Sequence, residues 1–242
     1  MTEQKTVWFS EEKHSRDADD PHIERIWLFA KEICKHLDTD DKTIDEADFF
    51  ADRLLDKLES ALMYYQMIKL DDFDKRNISQ RRTIYEGLYS NLWSFYKGRV
   101  QNFLIVAGWD LSMFFCKEKN FESVAAKFVE TNPDHKDLVE LARKQRETWQ
   151  NKFGKSRNAS EHSGDYRNGI ETFETKGEAQ QLFAQVCWMS ETLLAYCGSY
   201  KMEEQWNVIE ENPGTNIFQD KNRYVIEHGL QTAMREKRKK KD

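Results

Sequence analysis

The sequence predicts an all-α protein: an up-and-down bundle of four to five long helices with short helices at its periphery. Three observations predict it. Apolar residues recur every three or four positions along most of the chain, the spacing of one helix face. Only 3 prolines and 10 glycines interrupt 242 residues, which leaves long stretches free to coil. Hydrophobic residues make up 39% and charged residues 33%, so a real core can form beneath a highly charged exterior.

Residues 1–20 carry charge without periodicity and read as a flexible lead-in, with Trp8 and Phe9 available to dock on the body. Pro21 suits the first turn of a helix. Ile23, Ile26, Ala30, Ile33 and Leu37 then form one apolar stripe. After the polar break at 38–41, a second long helix is expected over 44–74, with Leu54, Leu58, Ala61 and Tyr65 inward. A third runs from about Ser79 toward Lys117, through Ile84, Leu88, Leu92, Phe95, Phe103 and Val106. Gly98 and Gly108 fall inside it and mark a kink or a close helix approach. A short helix over 121–130 stops at Asn132-Pro133.

The next long helix starts near His135, and its stripe passes through Leu138, Leu141, Ala142, Gln145, Trp149 and Phe153. One further turn of that stripe reaches Arg157. Ser163-Gly164-Asp165 breaks the pattern, and a last core helix is expected over 178–200. A final amphipathic piece covers 222–237. The chain thus divides into a lead-in at 1–20, a helical bundle at 21–200 and a C-terminal extension with a basic tail at 201–242.

Composition excludes several classes. Cys34, Cys116, Cys187 and Cys197 lack metal spacing and sit among apolar residues, as buried thiols do in a reducing compartment. The N-terminus has no basic start or apolar run, and no apolar stretch approaches the roughly 18 residues of a membrane span. A cytoplasmic protein without a membrane partner is expected. No phosphate-binding glycine loop, GxSxG elbow, HExxH or zinc-spaced Cys/His cluster occurs, and no cofactor is expected. A three-histidine metal site from His36, His135 and His162 is the one metal arrangement left to weigh.

The net charge of −6 does not advertise a nucleic-acid partner, but charge is uneven. Between Arg143 and Arg157 stand Arg143, Lys144, Arg146, Lys152, Lys155 and Arg157, against Glu147 alone. Such a run attracts a polyanion at short range or forms a solvated face. Just beyond lies Arg157-Asn158-Ala-Ser-Glu161-His162. An inward arginine at the end of an apolar stripe is costly unless paired or functional. Glu86, Asp110 and Glu191 are core acids that could pair with it.

Arg157-Asn158-x-x-x-His162 resembles the Arg-x4–6-His signature of the HEPN superfamily, in which a polar residue often follows the arginine. Arg16 to His22 and Arg223 to His228 also fit the bare spacing, but neither has Asn after its arginine. The resemblance implies a helical bundle and a metal-independent RNA endonuclease leaving 2′,3′-cyclic phosphate ends. It also implies a homodimer that joins two motifs, often in toxin–antitoxin or phage-defence systems, with an antitoxin as a further partner.

The residues suit that chemistry. Histidine titrates near neutral pH and can give or take a proton, and arginine offers a permanent charge whose fork matches phosphate oxygens. His162 and Arg157 are therefore the catalytic candidates. Asn158 and Glu161 are the supporting ones, and Arg146, Lys152 and Lys155 are the RNA contacts. Two residues five apart on an ideal helix point about 140° apart. Either the helix turns before Ser163-Gly164 or the pair meets through a dimer partner. The competing reading is a non-catalytic helical module that binds RNA or a protein in the same groove.

Overall fold

The computed structural model describes residues 6–7, 21–161, 175–202 and 205–206. The expected 222–237 helix, the Arg223 to His228 spacing, Arg16 and His162 itself lie outside the described residues. Helix α1 spans Pro21–Lys35, α2 Asp41–Asp52, α3 Asp56–Lys69, α4 Ile78–Trp93 and α5 Gln101–Val106. Helix α6 spans Phe121–Thr131, α7 Lys136–Gln145, α8 Asn151–Glu161 and α9 Lys176–Met202. A two-residue parallel bridge pairs β1, Thr6–Val7, with β2, Gln205–Trp206. The protein is all-α in character. Its helices are mostly of medium length, and α9, with 27 residues, is the longest α-helix among the described residues.

Local chemistry sets the ends of these elements. Asp40 caps α2 by accepting from the Thr43 N–H at 2.8 Å. Asn77 and Gln80 form a reciprocal capping box at the start of α4. Thr175 and Glu178 do the same for α9: the Glu178 N–H donates to Thr175 Oγ1 and the Thr175 N–H to Glu178 Oε2, each at 3.2 Å. At the end of α5, Gly108 takes φ +89°, and the N–H of Trp109 reaches back to the Leu104 carbonyl at 2.7 Å. That left-handed C-terminal turn suits glycine.

Two expectations change. The helix expected over 44–74 is broken at 53–55, where Leu54 and Leu55 are both buried. Neighbours one apart on a straight helix point 100° apart, so burying both here accompanies a turn of the chain. The third helix does not run on to 117. It reaches Val106 through a π-helical stretch at Ser94–Val100 and ends at the Gly108 turn. A second π-helical stretch, Arg146–Gln150, joins α7 to α8. There the Thr148 hydroxyl donates to the carbonyls of Lys144 and Gln145, competing with the backbone ladder.

Helix α9 is the axis of the packing. Every residue from 182 to 199 is buried, and α1, α3 and α4 all pack against it. Such all-round burial brings polar groups inside, and Glu191 is met by Arg25 of α1 at 2.6 Å. Helices α3 and α4 approach closely at Gly87, where a Cβ would stand 2.4 Å from the Tyr64 ring. No described helix is long and apolar enough to cross a membrane.

Candidate functional site

The two π-helical stretches face each other across an open cleft of about 1140 Å³. One wall is the end of α4 and the stretch after it, from Trp93 to Asn102. The other is the run from Arg146 into α8, as far as Arg157. The 114–119 segment and Lys57 of α3 complete the rim. π-Helical turns occur often at functional sites, because the extra residue re-aims side chains at a cost in helix geometry.

The walls are fastened from within. Gln150 Nε2 donates to the Tyr96 hydroxyl at 2.8 Å, bridging the two π-helical stretches. Burial pushes the Tyr96 phenol far up, against the opposing pull of the Arg146 charge and of that hydrogen bond, so it stays protonated. Arg146 is 6% exposed. Its Nη2 donates to the carbonyls of Met113 at 2.8 Å and Cys116 at 2.7 Å, and its guanidinium lies 4.7 Å from the centre of the Phe121 ring. These contacts tie α8's approach to the 113–116 turn. No carboxylate among the described residues pairs with Arg146, and its buried Nε has no hydrogen-bond partner. The Cys116 thiol lies 3.1 Å from the same Nη2. Burial raises its pKa, and the neighbouring cation opposes that rise.

Charge is the cleft's main property. From the first wall and α3 come Lys57, Lys97 and Arg99; from the 114–119 rim, Lys117 and Lys119. The second wall adds Arg146, Lys155 and Arg157. Against these eight cations the described lining offers a single carboxylate, Glu118. Lys57, Lys97, Arg99, Lys117, Lys119 and Lys155 form no ion pair among the described residues. Elsewhere many cations are matched: Lys31 with Asp48 and Asp52, Arg82 with Glu86, Arg143 with Glu122 and Lys176 with Asp74. On a chain of net charge −6, so many unmatched cations around one concavity focus a positive field there.

The residues singled out by the sequence separate into three groups. Arg146, Lys155 and Arg157 share the cleft. Arg157 is half-buried, where the apolar stripe meets the surface, with its guanidinium carbon 6.0 Å from the centre of the Trp93 ring. Lys152 is turned away and bridges to Glu178 of α9 at 2.8 Å. Asn158 and Glu161 lie on α8, whose backbone is helical through Glu161, and their side chains fall outside the described residues with His162. Any change of helix course before Ser163 therefore comes after Glu161.

The candidate core acids each hold another group. Glu191 meets Arg25, Glu86 meets Arg82, and the Asp110 carboxylate accepts from Ser112. Of the candidate metal histidines, His36 bonds to Glu32 at 3.2 Å, and buried His135 bonds to the Tyr196 hydroxyl at 2.6 Å. No group of three His, Cys, Asp or Glu poised for a metal occurs among the described residues.

The sequence reading missed the opposite wall. Lys97 and Arg99 flank Gly98, read only as a kink or a close helix approach, and Lys117 and Lys119 lie at and just beyond the expected end of that helix. A helical wheel carries a usable signal for the near wall: Arg146, Gln150, Gly154 and Arg157 recur at helical spacing and all line the cleft. No family model, curated protein or solved structure matches the chain.

Proposed function

We propose that this protein binds RNA in the basic cleft and cuts it without a metal ion, as a HEPN-like endoribonuclease. One observation carries the reading: Arg157 of the Arg-Asn-x-x-x-His motif lines an open cleft with eight cations and one carboxylate. A polyanion is the ligand class that releases the mutual repulsion of such a set, by counter-ion exchange along its phosphates.

In the proposed reaction Arg157 holds the scissile phosphate. The ribose 2′-oxygen attacks phosphorus and loses its proton, the bond to the 5′-oxygen breaks, and that oxygen receives a proton. A 2′,3′-cyclic phosphate results. His162 gives or takes one of those protons. Asn158 and Glu161 orient the pair, and Lys155 and Arg146 hold flanking phosphates. Lys152, engaged with Glu178, is the weakest of the proposed RNA contacts. The same reading makes the protein a cytoplasmic homodimer, with residues 21–200 as a HEPN-like bundle and an antitoxin as a further partner.

A second reading is RNA binding without cleavage, which needs only the cleft's cations. One assay separates them. Mixed structured RNAs are incubated in EDTA with wild-type protein and with His162→Ala. Cleavage by wild type alone, ending in cyclic phosphate, supports the nuclease. Binding by both without cleavage supports the second reading. Gly98→Glu serves as a fold-sparing control: a Cβ there meets nothing within 4 Å, and the added carboxylate enters the cleft's cation set. It should weaken RNA binding by either reading, and undiminished affinity would remove the cleft from both.

A further inference from the structure

We infer that Trp93 is the base-stacking platform of the cleft, and that stacking there makes the site selective for unpaired RNA. This rests on the RNA-binding reading and adds a specificity-determining residue to it. The cleft is lined by ring carbon as well as by cations. Trp93 sits at the last position of α4, half-buried, among the lining residues. Its ring is braced from the core by Phe153, edge to face at 5.1 Å, and a Cβ at Gly154 would come within 3.7 Å of its far edge. Such bracing fixes the plane of the indole without enclosing it.

Two cations flank that ring, each belonging to a different wall. Lys97 Nζ stands 5.7 Å from the ring centre and the Arg157 guanidinium carbon 6.0 Å. Both distances lie at the outer limit of direct cation–π contact, about 6 Å. A small outward movement of either side chain admits a flat ring over the indole, with a cation left beside it for the phosphate. Base stacking on an aromatic platform is tolerant of sequence, because every base offers a π-face. It requires the base to be out of a duplex. The cleft is also long enough for a short single strand: Arg146 and Arg157 are separated by about 16 Å at 1.5 Å per residue, the reach of roughly three to five nucleotides.

The test compares three probes on the wild-type protein: a single-stranded RNA decamer, the same strand with its bases removed, and the matched duplex. Trp93→Leu and Trp93→Phe are then measured on the single strand across a salt series. Stacking predicts that the intact single strand binds about 5- to 100-fold tighter than the base-free strand. Trp93→Leu should lose a similar factor with an unchanged salt slope, because no cation is removed, and Trp93→Phe should recover most of it. Lys97→Ala, in contrast, should lower the slope by about one. Equal binding of the base-free strand, or of the duplex, overturns the inference and leaves RNA binding intact. Failure of every probe to bind sinks the RNA reading itself. If Trp93→Leu loosens the fold, the wild-type comparison still decides whether bases stack, and a cleft-lining Trp93→Tyr that binds as wild type beside a weaker Trp93→His assigns the platform to Trp93.

Discussion

Arg146 combines two roles in one guanidinium. Its Nη2 holds the carbonyls of Met113 and Cys116 in place, while its charge adds to the cleft without a carboxylate to offset it. Arg146→Ala should therefore act twice. Two carbonyls lose their donor, and urea unfolding should show a loss of about 1–3 kcal/mol. RNA affinity should fall with a salt slope smaller by about one. Arg146→Lys should recover the slope but not the stability, since a single ammonium cannot reproduce the planar fork. A stable Arg146→Ala protein with unchanged binding would remove the residue from the site. The basic run made Arg146 and Lys152 look alike in the sequence. Position on the helix separates them: at 100° per residue Lys152 points about 140° away from Arg157, toward Glu178.

At the scale of elements, α8 and α9 are clamped where Lys152 meets Glu178, the same carboxylate that closes the capping box with Thr175. Burial pushes the Glu178 carboxyl up, but the hydrogen bonds from Lys152 and Thr175 outweigh it and hold the group below its ordinary value of 4.5. A carboxyl held low in the folded state stabilises it above the unfolded pKa and ceases to as pH falls past the folded value. Glu178→Gln should thus cost up to about 1 kcal/mol near neutral pH, given the clamp's partial exposure. The difference from wild type should vanish in acid, below the ordinary 4.5. Thermal unfolding of both proteins from pH 7 down to pH 3 checks this, and a constant difference would mean that packing rather than charge is lost.

Most elements were legible because stripes at 3.6-residue spacing survive into buried faces. Ile23, Ile26, Ala30 and Ile33 are inward as expected, and so are Leu138, Leu141, Trp149 and Phe153. The break at 53–55 was not legible, since no proline or glycine marks it and Leu54 fits the stripe. The π-helical stretches escaped for a related reason. One extra residue rotates the stripe by about 100°, and without a proline or a break in polarity the sequence does not mark where that rotation falls. The site was half legible. The motif pointed to Arg157 and its helix, but the facing wall comes from a different part of the chain, and no local pattern announces which surfaces will meet.

For the whole molecule, the decisive relation is between Arg157 and His162. With α8 helical through Glu161, a histidine continuing that helix would stand about 140° round from the cleft-lining arginine. On the proposed dimeric reading it serves the partner's cleft. Mixing Arg157→Ala with His162→Ala chains under subunit exchange should then restore about a quarter of wild-type cleavage, since half the dimers carry one intact composite site. Each variant alone should remain inactive. No restoration, with mixed dimers demonstrated, would confine each site to one chain.

The bridged π-helical walls have one more consequence, which concerns chain length. Each wall holds one residue more than a plain helix of the same rise. Deleting a single residue from Ser94–Val100 or Arg146–Gln150 would restore an α-helix and rotate everything beyond it by about 100°. Phe103 and Leu104 would then leave the core on one side, and Phe153 would leave it with Arg157 on the other. Substitutions along these walls change what the cleft presents, whereas a deletion would take the cleft and the core out of register together. The outline of the site is thus written as a count of residues as well as in their identities.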